Sequence, residues 1–87
     1  MVSKQLTIVN AQGFHMRPAQ MFTAAMAKYS SDVIIKFNGN DVNGKSLLNI
    51  IPACIKCGSN IELVCNGVDE NEALAEAVDM IENGFGE

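Results

Sequence analysis

Apolar and polar residues alternate from Gln5 to Val9, with Leu6 and Ile8 on one side, which predicts a half-buried β-strand. Gly13 interrupts the segment from Asn10 to Phe14, which is expected to be a loop. From Met16 the period lengthens: Ala19, Phe22, Met26 and Tyr29 recur at steps of three and four residues, the stripe of an amphipathic helix. Pro18 falls in the first turn of that helix, where a missing N–H has no intrahelical partner to lose and the fixed φ suits the conformation. The helix is expected to end near Ser30-Ser31.

Beyond it, Val33, Ile35 and Phe37 share one side of a β-branched run, and Asn38-Gly39-Asn40-Asp41 is a hairpin turn signal leading into a short return strand over Asp41 to Asn43. Ser46 stands as a candidate N-cap before Leu47, Leu48, Ile50 and Ile51, and Pro52 keeps that helix short. After a turn at Gly58-Ser59, Ile61, Leu63 and Cys65 alternate with Glu62, Val64 and Asn66, a strand over residues 60–66. Asp69, with Glu72 three residues on, is a capping-box variant. Leu74, Ala77, Val78 and Ile81 give the apolar face of a last helix that Gly84 should stop. Four strands cannot bury both faces by themselves, so helices must cover one. The alternating strands leave the other more solvated. The expected fold class is α+β, an open-faced sandwich with helices on one face of a four-stranded antiparallel sheet.

Length and charge narrow what such a fold can do. The 87 residues are expected to form a single domain over 1–87, with little room for a deep cleft, which disfavours a free-standing small-molecule enzyme. The net charge is −4, with the acids concentrated after Gly67, and nucleic acid requires a basic face. No run approaches the ~20 apolar residues that span a bilayer, and the start Met1-Val2-Ser3-Lys4 lacks the apolar core of a signal peptide, so a cytoplasmic protein without membrane insertion is expected. Cys54, Cys57 and Cys65 are an odd number of cysteines in a chain well supplied with aliphatics, which fits free thiols in a reducing compartment.

The stretch that carries chemistry is Gly13-Phe14-His15-Met16-Arg17-Pro18-Ala19. His15 is the only histidine, and it falls at the junction of a Gly-containing loop and a helix. The first amides of a helix lack intrahelical acceptors and, with the macrodipole, favour anions. Arg17 adds a planar fork of donors suited to phosphate. A nucleophile whose charge changes near neutral pH, amide donors and a fixed cation are what reversible phosphoryl transfer requires. Taken singly, each residue has a plainer account: a histidine beside a helix start is usually a surface residue or a cap, and a lone arginine a solvated charge.

This stretch resembles the Gly-[Leu/Ile/Phe]-His-Ala-Arg-Pro-Ala signature of the HPr family, the histidine-containing phosphocarriers of the bacterial sugar phosphotransferase system. Asn43-Gly44-Lys45-Ser46-Leu47-Leu48 is similar to the family's second signature, which ends in Lys-Ser and two apolar residues, and Gly67-Val68-Asp69-Glu70-Asn71-Glu72-Ala73 to its Gly-x-Asp-Glu-x-x-Ala segment. The tail Gly84-Phe85-Gly86-Glu87 resembles the ends of some Gram-positive members. The resemblance runs nearly end to end and implies three helices on one face of the sheet. It further implies that His15 accepts a phosphoryl group on Nδ1 from phospho-enzyme I, with phosphoenolpyruvate as the first donor, and passes it to enzyme II A components. Arg17 would support the phosphoryl group. Ser46 matches the serine that an HPr kinase/phosphorylase modifies in many Gram-positive bacteria, and a phosphate there would suit an arginine-bearing partner such as a catabolite-control transcription factor. A monomer without a cofactor or metal is expected. A related class, the Crh-type regulatory modules, lacks the active histidine and acts through phosphoserine; His15 favours the carrier.

A helix as short as the one after Ser46 cannot bury every side, so some of Leu47, Leu48 and Ile51 must face outward. The resemblance sets that patch against the His15 loop, with Met16 and Gln20 as further docking positions. Met16 replaces the usual Ala, Gln20 stands where Thr is common, and Pro52-Ala53-Cys54 replaces a stretch that usually ends in Leu-Gly. These departures bear on partner choice, since His15 and Arg17 are intact. Cys54-Ile55-Lys56-Cys57 is a C-x-x-C, but a structural zinc needs four ligands and no thioredoxin-like βαβ pattern surrounds it, so incidental thiols are the simpler reading. Met16, Met21, Met26 and Met80 are expected to fill core or interface. Glu70, Glu72, Glu76, Asp79 and Glu82 are expected to form a solvated helix face. Ser46 is also accounted for as a plain N-cap.

Overall fold

A computed structural model describes residues 1–86. The chain runs β1 (Val2–Thr7), α1 (Met16–Ala27), β2 (Asp32–Phe37), β3 (Asn40–Asn43), α2 (Leu47–Ala53), β4 (Asn60–Asn66) and α3 (Glu70–Glu82), and closes with a 3-10 turn, Gly84–Gly86. The strands form one antiparallel sheet in the order β1-β4-β2-β3. Register sets Leu6 opposite Ile61, Leu63 opposite Ile35, Cys65 opposite Val33, and Val42 opposite Ile35. All of these are buried, and Ala19, Phe22 and Met26 of α1, Ile50 of α2, and Ala73, Ala77 and Ile81 of α3 close over them. The molecule is therefore an α+β open-faced sandwich with its three helices on one face. The other face is largely polar, and Lys36 of β2 meets Asp41 of β3 across it at 3.5 Å. Among the described residues no helix is long and apolar enough to cross a membrane.

The departures from the sequence reading trace to particular contacts. β1 begins at Val2 rather than Gln5 and ends at Thr7, with Ile8 and Val9 already beyond it. Lys4 occupies a helix-side register position opposite Leu63, where an apolar residue would have completed the pattern; its ammonium instead reaches Glu82 of α3 at 3.5 Å. α1 stops at Ala27 rather than near Ser30-Ser31, because the Asp69 carboxylate accepts the amides of Ser30 (2.8 Å) and Ser31 (2.9 Å) and the Ser31 hydroxyl. Those bonds, the Ser31 hydroxyl first, hold the Asp69 carboxyl below the usual carboxylate range. The same engagement removes the expected capping box: Asp69 sits at the N-cap of α3, but its side chain caps no helix amide. Glu70 instead accepts the Gly67 amide at 3.1 Å and pairs with the N-terminal ammonium at 3.0 Å.

The acidic face of α3 is likewise more engaged than a solvated stripe. Glu76 pairs with Lys28 at 2.8 Å and accepts the Tyr29 hydroxyl at 2.6 Å. The Lys28 contact and then the Tyr29 bond draw the Glu76 carboxyl down, while the bond to Glu76 pushes the Tyr29 phenol up to about 12. Of the methionines expected as filler, Met26 is fully buried and Met80 leans on the core, whereas Met16 and Met21 face outward.

Candidate functional site

His15 takes the N-cap position of α1, with extended backbone (φ −77°, ψ −174°), and its side chain caps none of the helix amides. Its carbonyl accepts the Ala19 amide at 3.0 Å, the first bond of the helix. Pro18 is the third helical residue and has no N–H, so the outward donors of the first turn reduce to Met16 and Arg17, whose amides meet no backbone acceptor among the described residues. Two amide donors therefore follow the half-buried His15 directly in the chain, at the positive end of a twelve-residue helix. Arg17 is exposed, and no ion pair among the described residues engages its guanidinium.

The loop that delivers His15 is clamped from three sides. Asn10 folds back on it: its buried side-chain amide donates to the Gly13 carbonyl at 2.7 Å and its carbonyl accepts the Gly13 amide at 3.1 Å. From the segment after α2, Ile55 offers a carbonyl that accepts the Phe14 amide at 2.9 Å. Beneath, the Phe14 ring packs edge-on against Phe22 (5.4 Å between centroids) and Phe85 (5.1 Å). Gly13 has φ +63°, and a Cβ there would strike the Ile55 carbonyl and stand 2.7 Å from Lys56 Cα, so no other residue fits without moving the clamp. Asn10, Ile55 and Phe85 are the positioning residues that sequence reasoning missed. Asn10 three residues before a glycine is a recognisable turn signal; Ile55 and Phe85 act across long sequence separations and leave no local trace.

Ser46 stands at the N-cap of α2, but the side-chain cap expected of it is absent. Its carbonyl closes the first turn, accepting Asn49 and Ile50 amides at 3.1 Å each, while its Oγ accepts the Asn49 side-chain amide at 2.8 Å. Pro52 lies inside α2, which ends one residue later as Cys54 turns left-handed. α2 packs against α1. Of the expected docking residues, Leu48 is 85% exposed, Met16 51% exposed and Gln20 exposed; Leu47 and Ile51 lean on the core and present part of their surface. Cys54 and Cys57 are exposed, Cys65 is buried, and none is bridged. Burial pushes the Cys65 thiol up. No group of three or more potential metal ligands occurs among the described residues.

The family model described as the PTS HPr component phosphorylation site matches residues 2–83. The phosphocarrier protein HPr of Neisseria meningitidis serogroup A is 34% identical over 87 residues, covering all of this chain and 98% of that protein. The HPr-like protein Crh of Halalkalibacterium halodurans is also 34% identical, over 94% of this chain and 98% of its own. Among solved structures, HPr-C-His from Thermoanaerobacter tengcongensis superposes with a TM-score of 0.96 at 36% identity, over 100% of this chain and 98% of that one. HPr from the same organism, solved as a dimer, superposes at 0.80 over the whole of both chains. Fold and likeness together define a phosphocarrier of the sugar phosphotransferase system, a carrier rather than an enzyme in the usual sense. The chain belongs to the HPr family.

Proposed function

We infer that His15 accepts a phosphoryl group from phospho-enzyme I and passes it to enzyme II A components, with Arg17 supporting the group in transit. The observation that carries this reading is the placement of His15 at the N-cap of α1, next to Met16 and Arg17, whose amides meet no backbone acceptor among the described residues. Attack by the neutral ring nitrogen, Nδ1 by family likeness, forms the new N–P bond as the donor's bond to phosphorus breaks. The charge spread over the equatorial oxygens meets the two amides, the helix dipole and the Arg17 guanidinium. The clamp on residues 13–14 holds the acceptor in place before the partner arrives, so little ordering remains for the encounter. Incubation with phosphoenolpyruvate and enzyme I tests the reading. A base-stable, acid-labile phosphoryl group should appear on His15 and be absent from His15→Ala; labelling of that variant at the wild-type rate overturns it.

Docking in this reading uses Met16, Leu47, Leu48 and Ile51, exposed or half-exposed apolar side chains, together with the exposed polar Gln20, as a transient protein contact requires. Ser46 is the regulatory position, modified by an HPr kinase/phosphorylase and read in the modified state by a catabolite-control transcription factor. The support is the Ser46 hydroxyl itself, which holds a side-chain partner, Asn49, and no backbone amide of α2. The protein works as a cytoplasmic monomer, without a cofactor, nucleic-acid contact or membrane insertion. A second reading, a Crh-like module acting through phospho-Ser46, draws on the likeness to Crh; His15 in the position just described favours the carrier.

A further inference from the structure

Cys54 and Cys57 bracket Ile55 and Lys56, which press on the His15 loop from one side. Ile55 supplies the carbonyl for the Phe14 amide, and Gly13 lies so close to Ile55 and Lys56 that not even a methyl group fits between them. Both thiols are exposed, so neither fills the core, unlike Cys65. Cys54 also ends α2 in the left-handed conformation (φ 56°, ψ 47°), which glycine adopts freely and a residue with a Cβ holds under strain.

From this placement we propose that Cys54 and Cys57 are a reversible dithiol–disulfide site whose oxidation releases the clamp on the His15 loop. The oxidant is a low-molecular-weight disulfide. One cysteine thiolate attacks it, forming a mixed disulfide and expelling one small thiolate. The second cysteine attacks the protein-bound sulfur, the Cys54 Sγ–Cys57 Sγ bond forms, and the second small thiolate leaves with the electron pair of the broken bond. Two protein thiols are oxidised, one small disulfide is reduced to two thiols, and the two cysteine protons end on those thiols.

The geometry supplies the consequence. A disulfide needs Cα atoms about 4.4–6.8 Å apart, and for residues three apart that separation is a tight turn. Ile55 and Lys56 lie in irregular backbone between the end of α2 and the next turn, in which the Ser59 amide bonds the Lys56 carbonyl. Closing the bridge turns the 55–56 backbone and takes the Ile55 carbonyl away from the Phe14 amide, and the close contact at Gly13 leaves no slack to absorb the movement. The ring closed is short and exposed, so it removes little unfolded-state entropy and is readily reduced, as a reversible site requires. The effect on phosphoryl acceptance rests on the reading of His15; the bridge and the loosened loop do not.

The test treats the whole protein with oxidised glutathione and follows three readouts: peptide mapping for a Cys54–Cys57 bridge, hydrogen exchange at the Phe14 amide, and phosphoryl acceptance with enzyme I. Expected are the bridge, roughly tenfold faster exchange at Phe14 as one backbone hydrogen bond is lost, slower acceptance, and full reversal by dithiothreitol. Cys54→Ser and Cys57→Ser should show none of these responses. Failure of the bridge to form, or a bridge with unchanged Phe14 exchange, overturns the proposal. Absence of labelling in the reduced protein would instead count against His15 as acceptor, so the two failures are distinguishable.

Discussion

Gly13→Ala is the substitution that probes the His15 loop most sharply. Two effects add. The alanine must hold φ near +63°, which costs a residue with a Cβ about 1–2 kcal/mol. Its methyl group must also displace the Ile55–Lys56 backbone, and the bond from the Phe14 amide to the Ile55 carbonyl goes with it, about another 1 kcal/mol. The sum is ~2–3 kcal/mol, which for a domain of this size lowers Tm by roughly 10 °C or more. Gly39→Ala is the internal control. Gly39 has φ +80° but nothing within 4 Å of the added Cβ, so only the conformational part remains, ~1–2 kcal/mol. Urea unfolding of both variants isolates the crowding and the lost bond as the difference between them. The Gly13 variant should also accept phosphoryl groups more slowly, while the Gly39 variant keeps the wild-type rate. Equal destabilisation of the two variants would refute the argument that the 55–56 segment presses on the loop.

Arg17→Ala should unfold like the wild type, because the side chain is exposed, yet accept phosphoryl groups roughly tenfold to a hundredfold more slowly through the loss of one charge-assisted contact worth ~1.5–3 kcal/mol in the transition state; rapid-quench labelling decides it, and an unchanged rate removes Arg17 from the site. Ser46→Asp should fold and slow transfer from enzyme I, since a charge at the edge of the Leu48 surface opposes docking; unchanged second-order kinetics would leave Ser46 a structural residue only. Phe85→Ala should cost ~3–5 kcal/mol in chemical denaturation, because the ring is buried against Phe14 and Phe22, and a loss below ~1 kcal/mol would contradict its role beneath the loop. Asp69, Glu70 and Glu76 are all held below the usual carboxylate range, so the stability they confer is present above that range and falls away as pH drops through their lowered values, below about pH 4. Denaturant midpoints that rise on acidification from about pH 5 to 3 would contradict those contacts.

What was legible in the sequence was local. Ile61, Leu63 and Cys65 share one side of β4, which spans residues 60–66, and the three-and-four spacing from Met16 builds α1 with Ala19, Phe22 and Met26 inside. The junction that places His15 could be read because a glycine, a histidine and an early proline mark a helix start within six residues. Where the reading missed, a distant partner decided. Asp69 ends α1 from the other side of the chain and so abandons its own cap, and Lys4 fits the helix side of an edge strand because Glu82 receives it. The supports of the site, the Ile55 carbonyl and the Phe85 ring, reach residue 14 over separations that no periodicity encodes. The hydroxyl of Ser46 followed the same rule on a smaller scale: the position is a cap, but Asn49 claimed the side chain.

Relay of the phosphoryl group through His15 alone is tested by a chase experiment. The protein is labelled with enzyme I and radioactive phosphoenolpyruvate, freed of both, and mixed with an enzyme II A component. Expected is one phosphoryl group per chain, bound at His15, that moves to the acceptor as His15 is emptied and returns on addition of excess phosphorylated acceptor. A label found on any other residue, or a label on His15 that stays there in the presence of every enzyme II A component supplied, would contradict it.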